Sequence, residues 1–335
     1  MLQEEKTYKI QLEKVEKEKS AANKIGSWIF KNLKFIFIPA SRLEELTLRE
    51  LEFERSVSRR KFIRRFKSTL TIIGIIIVFI IISLAVFPHW ISTFTVEQAN
   101  GVWPGAWAAP SPNHPLGQTK FGRDVLARMI YGARTSLTVA LPAIGFSVIF
   151  GVIFGVISAY YGGWVDSIIM RIVDVLLAFP GLILALVFVA ILGTRIENIM
   201  FAWGILGVPY YARLIRGSVL QARELPYIQA AKVAGAGNWR IMFRHILPNV
   251  IQPIIISVTF DIGGIVLSLA GLSFLGFSDP RMIDWGNEIS EAREFLYISP
   301  WASMGPGFMI LLAVLGFMLL GDGLRDALDP RLKNL

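Results

Sequence analysis

The stretch TLTIIGIIIVFIIISLAVF, residues 69–87, contains no charged side chain. The hydrocarbon core of a bilayer is crossed by about 20 apolar residues in a helix, so this stretch is long enough to span a membrane. An isolated strand could not satisfy its backbone hydrogen bonds in lipid, whereas a helix satisfies them internally. The stretch therefore predicts a membrane-spanning helix and an all-α membrane protein.

Five more apolar stretches follow it along the chain. They are residues 136–161, 168–192, 199–214, 250–277 and 300–320. With the first stretch they predict a polytopic protein with six transmembrane helices. Pro180 lies inside the third predicted span, where a proline is expected to kink the helix because it lacks a backbone N–H.

Composition agrees with a membrane protein. Hydrophobic residues make up 54% of the 335 residues, and the mean hydropathy is +0.55. The chain has no cysteine, which excludes a disulfide framework and thiol chemistry. The net charge of +9 lies largely in the first 70 residues and beside apolar stretches. Anionic lipid is therefore the expected neighbour of these charges, and no nucleic-acid partner is predicted.

Orientation is predicted from the distribution of lysine and arginine, which favour cytoplasmic loops. The loop 215–249 holds five basic residues, and the loop 278–299 holds two. This asymmetry predicts a multi-pass protein of the cytoplasmic membrane with both termini in the cytoplasm. One group conflicts with it, because Lys120, Arg123, Arg128 and Arg134 precede the second span on the predicted external side. We expect a surface helix there.

The loop after the fourth predicted span reads YIQAAKVAGAGNWRIMFRHILPN, residues 227–249. Its first half is rich in alanine and is predicted to form two helical turns. Gly235 and Gly237 allow the positive φ values of a tight reversal. Asn238 is a suitable N-cap for a second helix, which Pro248 is expected to end. Arg240 and Arg244 are four apart and would share one face of that helix.

This loop resembles the EAA motif of permease subunits in ABC importers. Five other segments resemble the C-type permease of the oligopeptide, dipeptide and nickel branch of that family. They are HPLGQTKFGRDVLARMIYGARTSL (114–137), YYGGWVDSIIMRIVDVLLAFPGLILAL (160–186), LSFLGF (272–277), WGNEISEAR (285–293) and GDGLRDALDPRL (321–332). The resemblance covers residues 69–335 and implies the type I ABC importer permease fold.

The resemblance implies that the loop is a coupling helix that docks on an ATPase subunit. The predicted ATPase-coupling residues are Tyr227, Gln229, Ala230, Ala231, Gly235, Arg240, Arg244 and Pro248. Two positions depart from the family pattern, because Gln229 and Leu269 stand where glutamate is usual. Gln229 removes a charge but keeps length and hydrogen bonding, so an ion pair from it to the ATPase is not expected.

The resemblance also implies the segments of the chain and its partners. The predicted segments are an N-terminal cytoplasmic basic, amphipathic extension (1–66), a first transmembrane helix (67–88), an external loop (89–135), a core of five helices (136–322) with a coupling loop (221–249), and a cytoplasmic tail (323–335). The implied partners are a second, B-type permease, two ABC ATPase subunits and an external solute-binding protein. ATP and Mg would be used by the ATPases, and no catalytic site, metal or cofactor is expected on this chain.

The implied function is ATP-driven import of oligopeptides or dipeptides. The alternatives are an ABC importer for nickel or another small solute, and an ATP-independent secondary transporter. Asp261 and Pro180 are the candidate residues of the translocation pathway. Asp261 lies within an apolar span, where it forms either a packing hydrogen bond or part of a pathway that meets cationic groups of a peptide.

Four other charges in or beside the spans carry predictions. Arg171 and Asp174 are three apart in one predicted helix, so they are expected to pair. Arg213 and Arg216, near the end of the fourth span, are expected to extend toward the cytoplasmic interface.

Overall fold

The computed structural model of the protein describes residues 68–279 and 281–328. Within them every regular element is a helix, and the one β-bridge joins Gln118 to Asp124. The all-α prediction is therefore confirmed. The predicted N-terminal extension 1–66 lies outside the described residues, as do the last residues of the predicted C-terminal tail, and those predictions stay untested.

The helices follow one another with mostly short connections, and longer segments follow residues 100 and 274. They are α1 (Thr69–Val86), α2 (Pro88–Ile91), α3 (Val96–Asn100), α4 (Val125–Tyr161), α5 (Gly163–Leu177), α6 (Gly181–Leu192), α7 (Ile196–Ala222), α8 (Pro226–Val233), α9 (Asn238–Arg240), a π-helix (Ile241–Ile246), α10 (Leu247–Val250), α11 (Gln252–Phe274), α12 (Trp285–Ala292), a 3-10 turn (Arg293–Phe295) and α13 (Pro300–Leu328).

Four helices, namely α1, α4, α11 and α13, are long and apolar enough to cross a membrane. A fifth span is reached if the bent pair α5–α6 counts as one. The remaining predicted span lies in α7. This helix has 27 residues, but it is not apolar enough to be counted with the other four. The polytopic architecture is therefore confirmed, and the count of six spans stays a prediction at α7.

The break between α5 and α6 occurs at the predicted proline. The two helices meet at 89°, and Pro180 is the N-cap of α6. Proline removes a backbone donor and disfavours the helical conformation of the residue before it, so α5 ends at Leu177. The prediction of a kink is confirmed, and the bend is sharp enough to separate two helices.

Helix α4 corrects the expectation of a surface helix over residues 120–134. The helix that contains the second span begins at Val125, capped by Asp124 Oδ1, which accepts the N–H of Ala127 at 2.6 Å. Val125 and Arg128 are buried. The basic residues at 128 and 134 therefore belong to one helix of 37 residues, because the cap at Asp124 lies well before the apolar stretch that starts at residue 136.

Close packing of α4 on α7 depends on two glycines. A Cβ on Gly151 would lie 2.6 Å from Tyr211 Cβ, and one on Gly155 would meet the carbonyl of Ala212. Small residues four apart allow two helix backbones to approach, as is common in membranes. The contact holds α7 in a fixed place beside α4.

Ion pairs between α5 and α7 correct one prediction. Asp174 pairs with Arg213 at 2.5 Å rather than with Arg171. Arg216 donates Nε and Nη2 to the two carboxylate oxygens of Asp166 at 2.7 and 2.6 Å. Arg213 and Arg216 therefore contact acids of a neighbouring helix, and their extension toward the cytoplasmic interface stays a prediction.

Candidate functional sites

The predicted coupling loop is anchored by apolar side chains. Ile228 of α8 and Ile241 and Ile246 of the π-helix are at most 1% exposed. They share one buried cluster with residues of α4 and α7, among them Val156 and Val219. Burial of several large aliphatic side chains holds the loop against the spans instead of leaving it a free connection.

The residues predicted to couple to an ATPase lie on the outer side of this anchored loop. Seven of them are exposed, and Ala231 is half-buried. The exposed members are Tyr227, Gln229, Ala230, Gly235, Arg240, Arg244 and Pro248. Gly235, Arg240 and Arg244 also border one open cavity, together with Trp239 and Phe243, whose rings are 4.2 Å apart.

The reversal in the loop depends on one glycine rather than two. Gly235 has φ +78°, and the N–H of Ala236 bonds to the carbonyl of Ala231 at 3.0 Å. Gly237 has φ −65°, which any residue can adopt. It serves as the N-cap of α9, so the prediction that Asn238 caps this helix is wrong. The side chain of Asn238 instead accepts a hydrogen bond from the hydroxyl of Tyr160 at 2.9 Å.

Pro248 does not end the second helix of the loop. It lies in the first turn of α10, which continues to Val250. A π-helix precedes it, and the N–H of Leu247 bonds to the carbonyl of Met242, five residues earlier. A proline removes one donor and crowds the carbonyl four residues before it, and the wider π-turn relieves that conflict.

The second candidate site is a cavity of about 290 Å³ between α4, α7 and α11. Asp261 lines it and accepts a hydrogen bond from the Tyr211 hydroxyl at 2.6 Å. Asp261 therefore forms a packing hydrogen bond and also faces a cavity, and its place in a translocation pathway stays a prediction. Pro180 does not line the cavity, but its neighbour Gly181 does. The bend between α5 and α6 thus borders the same space as Asp261.

Sequence reasoning missed the other polar groups of the cavity. Ser147, Tyr210 and Ser268 line it with Tyr211. The signal available beforehand was the pair of tyrosines at 210–211 in an apolar stretch, since buried hydroxyls require partners. Ser268 is seven residues after Asp261, two helical turns along the same face of α11.

Sequence reasoning also missed a buried cluster beneath the predicted external loops. Arg128 of α4 pairs with Glu288 of α12, and Arg128 Nη1 donates to the carbonyl of Ala99 at 2.7 Å. Trp285 Nε1 donates to the carbonyl of Met129 at 2.9 Å. These contacts join the segment 89–124, α4 and the segment 278–299 into one packed unit.

Asp284 caps α12 within this unit. Its Oδ1 accepts the N–H groups of Gly286 and Asn287 at 2.8 and 3.1 Å. Burial raises the pKa of Asp284 to about 6, because water no longer solvates the carboxylate, and the two backbone donors only partly offset this. The capping carboxylate is therefore a titratable group inside the packed unit.

Comparison with known proteins identifies the family. Residues 151–334 match the family described as binding-protein-dependent transport system inner membrane component. The chain is 43% identical to the dipeptide transport system permease protein DppC of Alkalihalophilus pseudofirmus over 277 residues, which is 82% of this chain and 90% of the relative. It is 39% identical to the glutathione transport system permease protein GsiD of Pectobacterium atrosepticum, over 82% of this chain and 92% of the relative.

The glutathione transport system permease protein GsiD of Escherichia coli is 40% identical over 82% of this chain and 91% of the relative. These relatives are named permeases rather than ATPases, so the chain is a membrane-embedded transport subunit. The ATP-independent alternative has no support among them. The chain belongs to the family of binding-protein-dependent transport system inner membrane components, the permease subunits of ABC importers.

Proposed function

We propose that this permease carries peptides, with dipeptides and short oligopeptides as its substrate class. Support comes from the relatives, one of which is named for dipeptide transport and others for glutathione transport, which is also a small peptide. The permease would form half of a translocation pathway, and a second, B-type permease would form the other half. An external solute-binding protein would deliver the peptide to the segments 89–135 and 278–299.

Both termini would be cytoplasmic. Two ATPase subunits would dock on the coupling loop from the cytoplasm, and these subunits would use ATP and Mg. The distribution of basic residues supports this orientation, since five lie in the loop 215–249. Tyr227, Gln229, Ala230 and Ala231 on α8 would contact the ATPase. Gly235, Arg240, Arg244 and Pro248 would complete that surface.

The observation that carries the proposal is that the loop is exposed on one side and rigidly held on the other. Ile228 on α8 is completely buried beside Ile215 and Val219 of α7. A push on α8 would therefore move α7 instead of deforming the loop. Helix α7 also carries Tyr211, whose hydroxyl donates a hydrogen bond to Asp261, so a displacement of α7 would reach the wall of the cavity.

The test is the Gly235→Val variant in the full complex, reconstituted in proteoliposomes with its ATPases and binding protein. Valine is strained at φ +78°, so we expect the reversal to distort and ATP hydrolysis to continue without peptide uptake. Gly237→Val is the matched control, because φ there is −65° and a Cβ would meet nothing within 4 Å. Normal coupled uptake by Gly235→Val would refute the coupling role.

A further inference from the structure

We propose that the cavity at Asp261 binds the positively charged amino group of the solute as it passes through the permease. This inference rests on the proposed peptide substrate and names the chemical group that the site recognises. It assigns Asp261 as the anionic partner, in a cavity that Tyr210 and Ser268 also line.

Asp261 has no counter-charge among the residues that the structure describes. Asp166 and Asp174 on α5 each contact an arginine of α7. Within residues 68–279 and 281–328, no ion pair includes Asp261, whose hydrogen bond comes from the neutral hydroxyl of Tyr211. A carboxylate in an apolar helix is costly without a partner, and such groups usually mark a substrate or ion pathway.

The carboxylate of Asp261 keeps free hydrogen-bonding capacity. Tyr211 donates to Oδ2 at 2.6 Å, and no hydrogen bond from the described residues reaches Oδ1 of this cavity-lining side chain. An ammonium group has three N–H donors and no acceptor, so a carboxylate oxygen with free hydrogen-bonding capacity complements it. A solute carboxylate would instead be repelled from the same place.

The size of the cavity also suits a peptide terminus. The cavity of about 290 Å³ is at the lower end of the range for small-molecule sites, so it can take one end of a peptide. Every unblocked peptide carries an α-ammonium group whatever its side chains. A site that recognises this group would select peptides as a class without selecting a sequence.

The test uses the lack of cysteine in this chain. A single Ser268→Cys substitution places a thiol on the face of α11 that carries Asp261. The assembled complex is treated with cationic 2-aminoethyl methanethiosulfonate or with anionic 2-sulfonatoethyl methanethiosulfonate. The mass of this chain alone is then followed, so cysteines of partner subunits do not contribute. Each rate is divided by the rate of the same reagent with 2-mercaptoethanol.

We expect the cationic reagent to be favoured by about tenfold or more, because two unit charges about two helical turns apart interact strongly where water is scarce. The preference should persist in Asp261→Glu and disappear in Asp261→Asn, each combined with Ser268→Cys. No preference in the Ser268→Cys chain, or an equal preference in Asp261→Asn, would overturn the proposal.

A second measurement follows uptake of a peptide solute. Uptake of dialanine by the Asp261→Asn complex should fall about tenfold at low concentration, while Asp261→Glu should retain most of it. Undiminished uptake by Asp261→Asn would overturn the assigned role. The labelling experiment requires no peptide, so it tests the attraction of cations to the cavity independently of the substrate. If the unmodified complex takes up no dialanine, the peptide assignment fails, whatever the labelling result.

Discussion

Arg128 and Glu288 form an ion pair in which the side chains are only 2% and 3% exposed. They lie 160 positions apart in the chain, one on α4 and the other on α12. Arg128 also donates to Ala99 and Asn100, so a single guanidinium joins three parts of the predicted external face. The packed unit under the proposed binding-protein surface therefore depends on this residue.

Arg128→Ala should lower the free energy of unfolding of the purified permease by about 3–5 kcal/mol, because it leaves the Glu288 carboxylate buried without a partner. Denaturant titration in detergent measures this change. The control is Arg195→Ala, since Arg195 and Glu197 pair at 3.3 Å with side chains 67% and 61% exposed. An exposed pair is worth about 1 kcal/mol or less, so equal effects of the two substitutions would contradict the prediction.

Gly155→Val should disrupt the packing of α4 on α7, because a Cβ there meets the backbone carbonyl of Ala212. Overpacking of this kind costs about 1–3 kcal/mol. We expect a lower thermal denaturation midpoint and a smaller yield of assembled complex. Gly145→Val on the same helix is the control, since a Cβ there meets nothing within 4 Å. A drop in midpoint for Gly145→Val as large as that for Gly155→Val would argue against the predicted contact.

Arg216→Lys should weaken the link between α5 and α7 by about 1 kcal/mol, because lysine cannot reproduce the two parallel bonds to Asp166. Arg213→Lys should cost less, since Arg213 makes one bond to Asp174 and both side chains are more than half exposed. Unfolding free energies of the two variants give the comparison. A larger loss of unfolding free energy for Arg213→Lys than for Arg216→Lys would contradict a stabilising role of the bidentate geometry.

Asp284→Asn should remove part of the pH dependence of stability. Burial raises the folded-state pKa of Asp284 to about 6, so this carboxylate destabilises the fold increasingly as pH rises from about 4 to about 6. Asparagine keeps the capping oxygen and cannot ionise. The stability of the variant relative to the unmodified protein should therefore increase between these pH values and stay constant above them. A difference that does not vary with pH would rule out titration of Asp284 as its source.

Local features of the chain determined the helical spans and the positions of a kink and a turn. Uncharged stretches such as 69–87 predict membrane helices because the bilayer imposes length and apolarity on each one independently. Pro180 and Gly235 predicted a kink and a reversal, since each restricts or frees the backbone at its own position. The family resemblance of the loop 227–249 rests on local spacing in the same way.

Local features failed wherever a side chain had more than one available partner. Spacing along a helix favoured Arg171 for Asp174, and capping rules favoured Asn238 as an N-cap. The structure pairs Asp174 with Arg213 and engages Asn238 with Tyr160. In both cases the partner comes from another helix, which packing brings within bonding distance.

The sequence by itself therefore determined that this is a polytopic helical permease with an ordered basic loop, because hydrophobicity and backbone restrictions act within a few residues. Only the tertiary structure decided that Tyr211 meets Asp261 in a cavity and that Arg128 meets Glu288. Charged and hydroxyl groups select their partners by distance and burial. Those distances are set by how α7 packs on α11 and how α4 packs on α12, which no single stretch of the chain encodes.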